Sequence, residues 1–429
     1  MFQVIALLFG ALAVLILLDS PISLALGLAS TIAAAVQAKG PLLFLPQKIY
    51  TALDSFPLLA VPLFILAGSF LETGGVGRRL VNLANVLVRH LPGGLAMVVV
   101  VATMIFSEVS GSSAADAAAI GSVTIPAMLR LGYTPAFATA VVAAAGGAAV
   151  LIPPSIVAVI YGWQASTSVG ALFAAGFIPG FATALALIIY IYFTARRHGF
   201  PTEAKATWAE TGRAIRESLP ALLMPVIILG GIFGGFFTAT ESAAVAVFYG
   251  IAVALFYYKE LTWTDLPRIL VESAVTTGIV GLLLGMAAVF GYILTTLQVP
   301  LKLANVILAV SDSRWGFLIL VNALLLVAGC FLNATAILVV IVPILLPMAE
   351  RFGIDLVHFG IMVIANLGIG YVTPPVGTCL YVACSISKEP LDRVIRPLVP
   401  LLLVMTAMLA VVAFVPEITL VVPRWLYGK

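Results

Sequence analysis

Long apolar segments follow one another from end to end of this 429-residue chain, separated by short polar joints. The pattern predicts helices near residues 3–18, 21–37, 57–72 and 94–107, a disturbed stretch over 107–130, and helices over 135–162 and 171–195. After a polar stretch the order returns as 220–237, 240–258, 273–297, 315–330, a disturbed 331–350, 355–383 and 395–415. A straight span takes about 20 apolar residues, which leaves room for about ten to thirteen spans. The expected fold class is an all-α polytopic membrane protein. The disturbed stretches are apolar but short, and small polar residues interrupt the start of each. Re-entrant helical hairpins suit them better than straight spans.

The order returns because the chain reads as one unit used twice. Pro153-Pro154 and Pro374-Pro375 lie 221 residues apart inside apolar segments. Pro126, Arg130, Gly132, Val142, Ala144 and Gly147 meet Pro347, Arg351, Gly353, Val363, Ala365 and Gly368 at that offset. Leu83-Ala84-Asn85-Val86 meets Leu303-Ala304-Asn305-Val306 at an offset of 220. The expected organisation is a first repeat over 1–195, with a hairpin near 107–130 and a broken helix near 135–162. A connector over 196–218 follows. The second repeat, 219–429, has its hairpin near 329–350 and its broken helix near 355–383. A pair of interrupted segments in corresponding places is the best sequence pointer to a transport site.

Composition agrees with a membrane protein: 62% hydrophobic and 9% charged residues, against about 25% charged in soluble domains. The formal charge of +3 gives no reason to expect nucleic acid. The apolar N-terminal segment lacks a basic n-region and a small-residue cleavage site, so it is expected to be a retained span. Cys330, Cys379 and Cys384 fall in apolar segments without metal-ligand spacing. The connector holds Arg196, Arg197, Lys205, Arg213 and Arg216, which predicts a cytoplasmic loop. With an odd number of crossings per half, the repeats are inverted and both termini are periplasmic.

The breaks carry the candidate chemistry. Two prolines remove backbone donors and end a helix, and the carbonyls they free at bilayer depth need partners. A desolvated Na⁺ held by oxygens is one such partner. Ser107-Glu108-Val109-Ser110-Gly111-Ser112-Ser113 and Gly329-Cys330-Phe331-Leu332-Asn333-Ala334-Thr335 offer side-chain oxygens, and a helix starting there favours a carboxylate. Close helix packing is the plainer role of such residues. Glu108, Asp116 and Glu241 are acidic residues in apolar surroundings. Glu241 also suits a helix cap after Thr238. His90, His198 and His358 sit near segment ends, so an intramembrane hydrolase built on Ser110 is poorly supported and no enzyme is expected.

Ile105–Asp116 with Ile125-Pro126, Leu151–Ser155, Gly234–Ala243 and Gly370–Gly377 together resemble the large membrane subunit, of DctM/SiaM type, of tripartite ATP-independent periplasmic (TRAP) transporters. The resemblance covers essentially the whole chain, and Ala239 stands where that family often has proline. It implies an inverted-repeat elevator-type transporter with two re-entrant hairpins and two broken helices in the bacterial inner membrane. It implies Na⁺-driven import of a carboxylate such as a C4-dicarboxylate or sialic acid. The implied partners are a small four-helix membrane subunit (DctQ/SiaQ type) and a periplasmic substrate-binding protein (DctP/SiaP type). Carried over, one Na⁺ site uses Ser107, Ser110 and Ser112 with backbone of Gly147, Val150 and Ile152. The other uses Gly329, Asn333, Gly370, Thr373 and Val376. Ser113, Thr335 and Glu241 are the expected substrate contacts. The rivals are a stand-alone anion:Na⁺ symporter or antiporter of the same broad fold and, from other classes, a channel or a membrane hydrolase.

Overall fold

The structure is a computed structural model that describes residues 2–37, 42–200, 202–300, 302 and 313–428. Among the described residues every regular element is helical. Seven helices there are long and apolar enough to cross a bilayer: Phe56–Thr73, Val169–His198, Trp208–Phe233, Ala239–Tyr257, Leu266–Thr296, Arg314–Phe331 and Leu391–Phe414. Shorter apolar helices lie between them. The stretches expected over 135–162 and 355–383 each divide at their proline pair, into Pro135–Ala149 with Ile156–Gln164 and Leu356–Gly370 with Thr378–Ser387. Both Pro-Pro bonds are cis.

Helix limits recur at the offset seen in the sequence. Ser113–Arg130 corresponds to Ala334–Val340 with Val342–Arg351, and Pro135–Ala149 to Leu356–Gly370. The repeated motif at 303–306 lies outside the described residues. One difference has a clear cause: the second copy bends by 56° at Ile341. Pro343 removes a helical donor there, and Ser122 occupies its place in the unbent first copy.

Two expected boundaries are corrected. Ser107 and Ser110 do not open the disturbed segment; they close the helix Gly94–Ser110. Gly111 ends that helix at φ 63°, with its N–H on the Ser107 carbonyl, and the next helix starts at Ser113. Gly329 and Cys330 likewise belong to the last turn of Arg314–Phe331. Each polar tip therefore joins two helices. The connector over 196–218 is also shorter than expected. Val169–His198 runs to Gly199, and a capping box of Thr207 and Glu210 starts the next helix at Trp208.

The broken helices form the centre. Every residue from Phe137 to Ala149, and from His358 to Gly370, is buried. They cross at Gly147 and Gly368, where a Cβ on either would lie 2.5 Å from the carbonyl oxygen of the other. Lipid drives no hydrophobic association of helices, so small residues that admit close backbone contact do this work instead. Large apolar side chains turn outward. Phe181, Leu185, Ile189 and Phe193 form an exposed stripe at four-residue spacing along Val169–His198, suited to acyl chains.

Candidate functional site

At the first break, residues 153 and 154 cannot donate to the carbonyls of Ala149 and Val150. Ala149 O accepts instead from Ile152 N at 2.9 Å and from the Ser107 hydroxyl at 3.0 Å. The hairpin tip is thus fastened to the break by the residues the sequence had paired. One turn on, the Ser110 hydroxyl accepts from Ser112 N at 3.1 Å and donates to a carboxylate oxygen of Asp116. Asp116 is fully buried, and its other oxygen has no hydrogen-bond partner among the described residues. An acceptor-only group buried in that way calls for a cation or a proton.

At the second break the frees are Gly370 O and Tyr371 O, which take Thr373 N at 3.2 Å and Cys379 N at 3.0 Å. Val376 N ties the break to its own hairpin through Cys330 O at 3.1 Å. Gly329 and Gly370 meet Cα to backbone, and a Cβ on either would lie about 3 Å from the other's Cα. Beside them lies a void of about 10 Å³, bordered by Gly329, Asn333, Gly370, Val376 and Thr378, room for a single water-sized particle. The Thr378 hydroxyl is buried there without a partner among the described residues. Asn333 caps the following helix through Ala336 N at 2.8 Å. Thr373 turns its hydroxyl back to Ile369 O at 2.8 Å and does not border the void.

A larger cavity of about 420 Å³ adjoins both tips. Ser110, Ser112 and Ser113 enter it from the first tip, and Thr335 and Tyr371 from the second half. Ser112 offers no side-chain cap to the helix it precedes, so the first backbone N–H groups of Ser113–Arg130 face an open site. The long helices contribute Ser69, Glu72, Glu272 and Thr276, and a bond of 3.2 Å from Ser273 to Ser69 holds them together. Among the described residues, no Lys, Arg or His lines the cavity.

Of the expected site residues, Ser107 meets the break backbone at Ala149 O, with Ser110 one turn on bound to Asp116, and Gly329, Asn333, Gly370 and Val376 come together around the small void. Gly147 serves the helix crossing, and Val150 packs beside it against Gly368. Ser113 and Thr335 share the cavity. Glu241 does not: it accepts from Thr238 N at 2.8 Å in an exposed capping box, the arrangement Thr-x-x-Glu favours. Sequence reasoning left Asp116 without a place and passed over Thr378 and Glu272.

Paired helical breaks beside an oxygen-lined void and a polar cavity, in a multi-helix membrane fold, are the arrangement of a transporter. The family model of the tripartite ATP-independent periplasmic transporter DctM component matches residues 9–418, and the chain belongs to that family. It is a multi-pass membrane protein, the large permease subunit of a TRAP transporter and not an enzyme. It is 42% identical to the isethionate TRAP transporter permease protein DctMQ of Oleidesulfovibrio alaskensis, over 96% of this chain and 65% of that one. It is 41% identical to the C4-dicarboxylate TRAP transporter large permease protein DctM of Pseudomonas aeruginosa, over 94% of each. The solved YdaH transporter of Alcanivorax borkumensis has a similar fold, with a TM-score of 0.61 at 15% identity, covering 95% of this chain and 97% of that one.

Proposed function

We propose that this permease imports an organic anion by coupling it to Na⁺, with cations held at the two breaks and the anion in the cavity between them. The observation that carries the reading is a buried polar oxygen without a partner at each hairpin–break unit, with a water-sized void beside the one at the second. Asp116 of the first hairpin and Thr378 of the second break are buried acceptors without partners among the described residues, in surroundings too apolar to leave such atoms unsatisfied. The anion would meet the Ser113 helix start and the Ser110, Ser113 and Thr335 hydroxyls. Since no basic side chain lines the cavity among the described residues, bound cations supply the counter-charge, which makes ion and anion binding mutually dependent.

The repeats are read as inverted, the hairpins as re-entrant, and the hairpin–break units as a body that slides past the long helices. Arg196, Arg197, Lys205, Arg213 and Arg216 support a cytoplasmic connector and an inner-membrane location. Family membership supports a small membrane subunit and a periplasmic binding protein as partners. The names of the relatives, isethionate and C4-dicarboxylate, support a small organic anion as cargo. Uptake by proteoliposomes holding this chain, its small subunit and the binding protein is expected to stop when the Na⁺ gradient is collapsed. Uptake that continues without the gradient would overturn the coupling, and uptake without the binding protein would favour a stand-alone symporter.

A further inference from the structure

The cavity is asymmetric in charge. One wall presents the backbone N–H groups and hydroxyls at the start of Ser113–Arg130, an anion-binding end. Ser113 there is 6% exposed, and its hydroxyl has no hydrogen-bond partner among the described residues. The long helices present the opposite chemistry: Glu72 and Glu272 both line the cavity, acceptors only when ionised. Arg268 lies 3.6 Å from Glu272 and offsets part of its charge; Glu72 has no ion-pair partner among the described residues.

We propose that Glu72 and Glu272 select for cargo with one acidic group and, at its far end, hydrogen-bond donors such as hydroxyl or ammonium, and reject a second carboxylate. This rests on the cavity being the anion site. The acidic group takes the Ser113 end. The far end then faces the wall that carries the two glutamates, which accept from O–H or N–H but repel another anion. Removing that repulsion is worth about tenfold in relative affinity.

Three-carbon probes isolate the effect: glycerate, serine and malonate, titrated in NaCl against the full chain with its small subunit in nanodiscs. Glycerate or serine is expected to bind at least about tenfold more tightly than malonate. In Glu72→Gln, Glu272→Gln and the double variant, malonate should gain and the preference should shrink toward unity. Malonate binding wild type as tightly as the other two, or a preference unmoved by the double variant, would overturn the selection and leave the cavity standing as the anion site. No binding of any probe in sodium, in wild type or variants, would overturn the cavity and the selection together.

Discussion

The first break is built on side chains and the second on backbone. At the first, Ser107 and Ser110 reach across to Ala149 O and to Asp116. At the second, the residues in the corresponding places are Ala328, Phe331 and Ile337, and glycines bring Gly329 against Gly370. What the second break lacks in hydroxyls and charge it supplies by close backbone approach and by Thr378 just beyond the prolines. The two copies have therefore kept one geometry of interruption and diverged in how they furnish oxygens. A site with its own carboxylate binds a cation by charge; one made of neutral oxygens relies on geometry.

The comparison breaks most severely where the two copies touch. Gly368→Val is expected to destabilise the protein by about 3 kcal/mol or more, because a side chain cannot share space with the Gly147 carbonyl. Thermal unfolding of the purified chain checks it, and Gly132→Ala, in open space though at positive φ, should cost only about 1 kcal/mol. Next in size, Asp116→Asn removes a buried charge that the second break lacks. It should weaken sodium binding at least about tenfold while the protein stays folded, since the amide keeps the shape. Sodium titrations followed by thermal shift read this directly. Thr378→Val should weaken sodium binding less, by a few-fold, because one neutral ligand is lost and no charge.

Much of this was legible in the sequence because it is local. Proline pairs and the hydroxyl runs act within a turn or two of themselves, so their spacing placed both breaks and paired each with its hairpin tip. The cap at Glu241 was legible too, through Thr238 three residues before it, although Glu241 was also expected to contact substrate and does not line the cavity. The hairpin limits were misjudged because apolar helices such as Gly94–Ser110 continue through serines when a left-handed glycine stops them one residue later. Glu72 and Glu272 gave no signal as a pair. They are 200 residues apart, and only the packing of Phe56–Thr73 against Leu266–Thr296 brings them to one cavity. Thr378 was missed for a related reason, since only the packing of the second break against its hairpin places it at the void beside Gly329.

The most direct test of two unequal cation sites is the sodium dependence of uptake in proteoliposomes carrying the complete transporter. Wild type is expected to rise sigmoidally with a Hill coefficient near 2, as two coupled sites require. Asp116→Asn and Thr378→Val should each bring it toward about 1, with the larger loss of apparent sodium affinity in Asp116→Asn. A curve that stays sigmoidal and unshifted in both variants would contradict the account.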